Sequence, residues 1–572
     1  MFIASFRDAA AANVLAARIG DGTVQPEPAS LNGALLVWRG PGGWAAGPGA
    51  LLAAQGDIVD RARARLLTLG EIAALLAEHG DAALTGWAPP FRLAWHTDAG
   101  VDAAADAPGL AHWFIWQGDG VAAVASSATL LARAFGLAPD TAALGGLALT
   151  GAMVGDASII AGVRKLPAGQ AARLADGQLT LRTLSPPRIL AEPADALQAA
   201  TARLLAVYPH AEVELSGGWD SRLMLAAMPM AARRGRTGFT IGRAGDADVT
   251  IAARLASASA MTHDIADPGG LAGLDAKGFA ALLATTAARD DYAANPLDRA
   301  VINFVNAARP ARPRFSGQNG EILRGFYYPG QPLGAVPSAT LARRLIDWRI
   351  ISNDRVDPAL FDPAWLAATR AAVTGQLEGL LLGGGDADWA AALDRTYLEQ
   401  RMQRWCGASV TAALGLRPVL LPFFDADVLA LARTTPAAAK AGSRFAAAAI
   451  ARLDPVLAAI ALESGLTPAA VAAGGAINRL ALARRFAGKA VAKARQRLLG
   501  QDRATFGSAT TLGLAADHGL LAAVDIHRLA GLGIFAPAAL DAFAVGRPTR
   551  ASAGFVLNCH YLLERLAAGA PS

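Results

Sequence analysis

Through residues 1–185 short apolar runs alternate with clusters of turn residues. Ala34-Leu35-Leu36-Val37-Trp38 leads into Arg39-Gly40-Pro41-Gly42-Gly43, and Gly118-Asp119-Gly120 separates the apolar runs 113–116 and 121–125. Short runs bounded this way predict strands over 34–38, 92–96, 113–116 and 121–125. Segments 71–78 and 129–135 carry helical spacing. The expectation is a mixed, β-rich domain with helices outside, closed by the link Ser185-Pro186-Pro187-Arg188. From Ala194 onward the pattern changes to alanine- and leucine-rich helical stretches separated by brief buried strands. Helices are expected over 197–207, 221–228, 249–258 and 297–308, and strands at 211–215, 237–241 and 314–315. Strand-helix alternation predicts an α/β fold with a doubly wound parallel sheet, whose ligands bind at the carboxyl ends of strands. The loops after those strands are therefore where chemistry is sought.

The first of these loops is Ser216-Gly217-Gly218-Trp219-Asp220-Ser221. Two glycines let backbone approach a ligand closely, and the unpaired amides of the following helix favour an anion. Ser216 and Ser221 add hydroxyls. Asp220 is out of place in an anion cradle unless it carries Mg²⁺ to phosphates. The second loop is Gly242-Arg243-Ala244-Gly245-Asp246-Ala247-Asp248, and the third is Ser316-Gly317-Gln318-Asn319-Gly320-Glu321-Ile322-Leu323-Arg324-Gly325. Asp220 and Glu321 are thus placed at strand ends of one sheet, the carboxylate pair that a Mg²⁺–phosphate site needs. The plainer role for Glu321 is a helix N-terminal residue favoured by the dipole. Further on, Lys440 and Arg444 flank Gly442-Ser443, and either cation could offset charge on a departing pyrophosphate. Asp425 in Leu421-Pro422-Phe423-Phe424-Asp425 reads as an N-cap rather than a catalytic group.

At 572 residues the chain calls for about two or three domains, and its 53% hydrophobic content can fill more than one core. No apolar run reaches the roughly 18 residues of a membrane helix, and MFIASFRDAA has no signal-peptide core, so a soluble cytoplasmic protein is expected. The two cysteines, Cys406 and Cys559, imply neither a disulfide framework nor a cysteine-rich zinc site. A net charge of +5 without an aromatic-interleaved basic patch gives no sign of nucleic acid as a partner. The basic stretch 479–497 (RLALARRFAGKAVAKARQR) reads as a solvated helix face, with a docking surface for an acidic partner as the second reading.

The S-G-G-x-D-S loop resembles that of the N-type ATP pyrophosphatases, which cleave ATP to AMP and pyrophosphate. Taken in order, the motifs resemble the asparagine-synthetase-B superfamily over nearly the whole chain. Val163-Arg164-Lys165-Leu166-Pro167-Ala168-Gly169 is similar to the segment closing that family's glutaminase-like domain, and IGRAGDAD (241–248) to its adenosine-side loop. SGQNGEILRG (316–325) is similar to its second metal loop, and LPFFDADV (421–428) to its P-F-x-D stretch. The resemblance implies a glutaminase-like Ntn-type αββα domain over 1–187 and an ATP-pyrophosphatase synthetase domain with a helical C-terminal extension over 188–572. It implies ATP held by Leu215, Ser216, Gly217, Gly218, Asp220, Ser221, Ile241, Gly242 and Gly317. It implies Mg²⁺ on Asp220 and Glu321, with Lys440 and Arg444 completing the catalytic set.

The departures from the family narrow the function. Where the glutaminases carry cysteine after the initiator methionine, this chain has Phe2, and the nearest hydroxyl, Ser5, is misplaced. Glutamine hydrolysis is therefore not expected. Gln318 stands where amide synthetases of the family carry an acid and the β-lactam-forming branch a tyrosine, and it cannot act as a base. Members that use an amine already in the substrate remain. Arg222, the segment Arg401-Met402-Gln403-Arg404-Trp405 and the helical Gly554-Phe555-Val556-Leu557-Asn558 look most like the lasso-peptide macrolactam synthetases. The implied reaction adenylates an Asp or Glu side chain of a ribosomal precursor peptide and joins it to the peptide's own N-terminal amine. A leader peptidase and a leader-binding protein are the implied partners. Asp290, Asp291 and Glu399 are base candidates by position only, each with a surface-charge or capping role as the plainer reading. The insert 327–337 (YYPGQPLGAVP) could line a peptide cavity or be a surface loop. The alternative function is a β-lactam-synthetase-like or ammonia-dependent asparagine-synthetase-like small-molecule ligase. Sulfur transfer to tRNA lacks its paired cysteines, and a degenerate scaffold has no reason to keep Asp220 and Glu321.

Overall fold

The computed structural model describes residues 1–7, 15, 24–27, 34–38, 51–351, 356–474, 488, 491 and 507–568. The turn cluster 39–43 and, apart from residues 488 and 491, the basic stretch 479–497 lie outside the described residues.

Two large antiparallel sheets, and a small three-stranded one of Arg65–Leu66, Val59–Asp60 and Trp87–Ala88, are built from the first part of the chain. One has six strands in the order Arg164–Lys165, Phe114–Gly118, Val121–Ala125, Phe2–Phe6, Ala34–Trp38 and Val24–Glu27. The other has five, in the order Gln178–Thr183, Gln170–Ala175, Gly100–Ala105, Arg92–Thr97 and Leu51–Gln55. Side chains alternate between the two faces of a strand. Ile3, Ile115, Ala122 and Val124 of the first sheet therefore meet Ala53, Ala94, Ala103 and Ala172 of the second in a shared core. The opposite faces carry Phe2, Phe6 and Phe114 toward helices Ala128–Phe135 and Thr141–Thr150, and Leu93 and Trp95 toward helix Leu69–His79. Phe2 is a buried packing residue of its strand, and Ser5 accepts a hydrogen bond from Gly177 N at 3.2 Å.

The second part holds a five-stranded, all-parallel sheet. Its order is Thr262–Ala266, Thr237–Ile241, Glu212–Glu214, Arg314–Phe315 and Val419–Leu420. Val213, Leu215, Phe315 and Leu420 pack one face against helices Ala196–Val207, Trp219–Ala227 and Ala247–Ala258. Phe239, Ala266 and Val305 cover the other, beneath helix Pro296–Ala307. The two edge strands were not foreseen from the sequence. Thr262–Ala266 is half-exposed and carries His263 and Asp264, so it presents no buried apolar run, and Val419–Leu420 is only a two-residue pairing. The first loop's helix begins at Trp219, earlier than the 221 expected, which brings Asp220 into its first turn.

The chain ends in helices Ser508–Asp517, Ile526–Ala530, Pro537–Val545 and Arg550–Ala567. Phe555, Val556 and Leu557 share one core with Phe2 and Leu131 from the first part and with Leu283, Leu297 and Val301 from helices Ala276–Arg289 and Pro296–Ala307. Gly554 is required in that contact, because a Cβ there would lie 1.9 Å from Asn295 Oδ1. Among the described residues no helix is long and apolar enough to cross a membrane.

Candidate functional site

The strand order reverses at Glu212–Glu214, whose neighbours lead outward on opposite sides. A crevice forms at the carboxyl end of such a strand, and residues 216–221 occupy it. Ser216 N donates to Ser221 Oγ at 3.2 Å, and the two serine hydroxyls lie 3.0 Å apart. Gly218 N donates to Ser216 Oγ at 3.3 Å, and Gly217 N to Asp248 Oδ1 at 2.9 Å. Helix Trp219–Ala227 starts at Gly218 with no side-chain cap, so its first turn opens into the crevice.

The loop after Arg314–Phe315 closes directly onto this turn. A Cβ on Gly317 would come within 2.8 Å of Ser221 N, and one on Gly320 within 2.6 Å of Asp220 Oδ1. Only residues without a side chain allow the two loops to approach this closely. Between the glycines, Asn319 takes a left-handed conformation at φ 73° and donates Nδ2 to Phe423 O at 2.8 Å.

Two carboxylates and one guanidinium meet at this junction. Arg324 grips Asp220 with Nε at 2.8 Å and Nη2 at 2.7 Å, and Nη2 lies 3.8 Å from Glu321 Oε1. Tyr397 OH donates to Glu321 Oε2 at 3.0 Å. Burial, and after it the Asp220 charge, push the Glu321 carboxyl above its ordinary range, with Arg324 opposing. Burial also works against the Arg324 charge, but Asp220 and Glu321 overcome it and hold the guanidinium above its usual pKa. The roles of Arg324 and Tyr397 were not legible in the motif itself. The available signal was the i,i+3 spacing of Glu321 and Arg324 on one loop.

The donor set fits Mg²⁺ bound together with a polyphosphate. Glu321 is pushed toward protonation, by burial first and by the Asp220 charge after it, even with Arg324 present, and a divalent cation would oppose that push. Among the described residues no cluster of three or more His, Cys, Asp or Glu could hold a metal alone. A carboxylate pair completed by phosphate oxygens and water matches the habits of Mg²⁺.

The second loop lies alongside. Gly242 N donates to Ala266 O at 3.2 Å, and Arg243 N to Asp246 Oδ2 at 2.7 Å. Ile241, Asp246 and Asp248 line a cleft of about 560 Å³ that reaches Pro268, Val301 and Glu463. Asp248 joins that cleft to the first loop through its bond to Gly217. Leu215 is buried at the end of the central strand, and its amide donates to Phe239 O at 2.8 Å.

The two expected cations part company. Lys440 is buried, ion-paired with Asp394, and donates to Ala432 O at 2.9 Å. Tyr328 OH donates to the same Asp394 carboxylate at 2.7 Å. Lys440 is thus held in a buried cluster with Asp394 and Tyr328, and no contact ties it to Asp220 or Glu321 among the described residues. Arg444 instead starts an exposed helical turn with its guanidinium on the Ala438 carbonyl, and no contact ties it to Asp220 or Glu321 among the described residues.

Arg222 does not face the turn 216–221. It is fully buried and donates to the carbonyls of Leu457, Ile460 and Ala461. In the insert 327–337, Tyr327 and Tyr328 are buried and Leu333 and Ala335 accept from Ala390 N and Trp389 N, while Val336 is 79% exposed. Of the base candidates, Asp291 holds the start of helix Ala128–Phe135 by accepting from Ala128 N at 2.7 Å and from Ser127 Oγ. Asp290 lies 3.7 Å from Arg299, and Glu399 pairs with Arg395 at 3.1 Å. Asp425 is the expected N-cap, accepting from Asp427 N at 2.9 Å.

A comparison with protein families finds no matching family model, and a comparison with curated proteins finds no match.

Proposed function

We propose that this chain is an ATP-dependent amide ligase releasing AMP and pyrophosphate. Its substrate on this reading is a precursor peptide, whose Asp or Glu side chain it joins to the peptide's N-terminal amine. The observation carrying the proposal is the meeting of Asp220 and Glu321, from two adjacent parallel strands, around Arg324 at a glycine-built turn.

In the proposed sequence the uncapped first turn of helix Trp219–Ala227 and the serine hydroxyls of 216–221 receive the phosphates. Asp220 and Glu321 would hold Mg²⁺, which when bound neutralises phosphate charge and polarises the reacting phosphoryl group. Arg324 keeps the carboxylate pair compensated until nucleotide arrives. A substrate carboxylate oxygen attacks the α-phosphorus and the bond to the β-phosphate oxygen breaks, releasing pyrophosphate. The amine nitrogen then attacks the acyl carbon, AMP leaves with the carbon–oxygen bond electrons, and the nitrogen gives up a proton. Holding amine and acyl group on one chain makes the second step intramolecular. On this reading Lys440, ion-paired with Asp394, would offset charge on the departing pyrophosphate, a role that rests on the motif resemblance. The peptide assignment rests on the motif resemblance, as do a leader peptidase and a leader-binding protein as partners and a cytoplasmic setting.

Mass spectrometry of reactions containing protein, ATP and Mg²⁺ tests the reading. Leader-trimmed lasso-type core peptides should give AMP and a product lighter by one water, and Asp220→Ala should give neither. AMP formed only with aspartate plus ammonia, or with β-amino acids, would sink the peptide assignment and establish a small-molecule ligase. No AMP with any of these substrates, in wild type and variant alike, would sink adenylation itself.

A further inference from the structure

A small polar cavity lies on the sheet face next to the third loop. Its volume is about 110 Å³, and its walls come from helix Pro296–Ala307, the residues 409–419, and strand residues Glu214 and Arg314. That is the liquid volume of about four waters, enough for a carboxylate with a short carbon stem. Ser316 and Gln318 line it as well, so it opens onto the loop that carries Glu321.

The arginines of this cavity are unequally answered. Arg299, Arg314 and Arg417 line it together with Glu214 and Asp290, and Glu212 also lies against Arg314, 3.6 Å from its Nη2. Arg299 lies 3.7 Å from Asp290 and stacks on Trp405 at 4.7 Å. Arg314, 4% exposed, stacks on Phe239 at 4.1 Å and lies 3.5 Å from Glu214. Arg417 makes no ion pair among the described residues. It is 8% exposed, and its Nη2 donates to a neutral group, the Asn306 carbonyl, at 3.1 Å.

Donors are left over too. Arg417 Nη1, Arg314 Nε and Nη2, and Ser409 Oγ are buried without a hydrogen-bond acceptor among the described residues. Leaving such groups unpaired costs free energy, more so when they are charged. Burial, and after it the neighbouring Arg314 charge, hold Arg417 below the usual arginine pKa. An incoming anion would answer the unpaired Arg417 and the orphaned donors together, and a planar guanidinium fork matches a carboxylate.

We propose that this cavity is a carboxylate-binding subsite that anchors an acidic group of the substrate through Arg417, Arg314 and Ser409. The bound carboxylate is a non-reacting one, set beside the loop where adenylation takes place. The subsite rests on the reading of Asp220 and Glu321 as that centre, and it adds that the substrate carries a second carboxylate. A free amino acid and an acidic peptide side chain both present this chemistry.

Calorimetric titration of the full chain with succinate, without nucleotide, tests the anchor. Succinamide, the neutral isostere, is the control. Succinate should saturate and succinamide should not. Arg417→Lys keeps the charge but loses the fork and should weaken succinate about tenfold. Ser409→Ala, a mild change, should weaken it several-fold. Equal binding of succinate and succinamide, or unchanged binding in both variants, overturns the proposal. Titrations with aspartate, with an acidic peptide and with its Asn counterpart identify the source of the carboxylate. A parallel ATP–Mg²⁺ titration separates the two readings. If wild type binds succinate but not ATP–Mg²⁺, the adenylation reading fails and the anion subsite stands. If it binds ATP–Mg²⁺ but not succinate, the reverse holds.

Discussion

Asp220 is where a single atom pair decides most. Its two oxygens take both nitrogens of the Arg324 fork, and the turn that carries it lies against Gly317 and Gly320. Asp220→Asn keeps the volume, removes the charge and leaves Arg324 facing a neutral amide. AMP formation should fall at least about a hundredfold, since one preorganised charged group at a phosphoryl site is worth that much. A rapid-quench AMP assay reads it, and near-normal turnover would remove Asp220 from the site. Gly320→Ala approaches the same contact from the other side. The added methyl would lie 2.6 Å from Asp220 Oδ1, so one loop must move. ATP–Mg²⁺ binding should weaken about tenfold or more while far-UV circular dichroism stays as in wild type. Unaltered binding would show that the two loops need not touch.

At the scale of elements, Arg222 joins its own helix to the end of helix Pro455–Ala459. Planted in helix Trp219–Ala227, it ties down the carbonyls at 457–461, and burial holds its pKa at about 10. Arg222→Met fills similar space but leaves those carbonyls without their donor, and a loss of about 1–3 kcal/mol per orphaned group follows. The expected readout is faster proteolysis and amide exchange around 455–461, with exchange elsewhere unchanged. Exchange that rises evenly through the chain would contradict a local tie. Arg222 also shows what a sequence hides. Strand-turn-helix at 212–227 was legible because glycine, apolar run and helical spacing all fall in one window. The strands at 237–241 and 314–315 and the helices near 197–207, 249–258 and 297–308 were legible for the same reason. What Arg222 binds lies more than two hundred residues away and cannot be read from its neighbours. Shorter separations, 76 and 46 residues, hid the Tyr397–Glu321 and Lys440–Asp394 pairs, and one of 163 residues made Asp291, a cap for helix Ala128–Phe135, look like a base candidate.

Across the whole molecule, buried charge joins segments that composition alone would separate. Arg61 donates to Asp425 at 3.0 and 2.7 Å and lies 3.1 Å from Asp427, while Arg203 reaches Asp427 at 2.7 Å. Asp291 makes a comparable long-range tie, holding helix Ala128–Phe135 from the chain that precedes helix Pro296–Ala307. Burial pushes its carboxyl from 3.8 up to about 6, against the hydrogen bonds from Ser127, Ala128 and Thr129. Below pH 3.8 both the folded and the unfolded chain hold the proton. Between 3.8 and 6 the unfolded chain has released it and the folded chain has not. The folded state binds more protons in that window, so this group's contribution declines as pH rises, by at most about 1.4 kcal/mol per pH unit. Above the window both states are ionised and the contribution is flat. Asp291→Asn does not titrate there. The denaturation free energy of wild type minus that of the variant should therefore fall between pH 4 and 6 and level off by about pH 7. Urea melts at half-unit intervals measure it. A difference that climbs with pH through the window would mean that the capping hydrogen bonds outweigh burial, and that the tie is strongest with Asp291 charged.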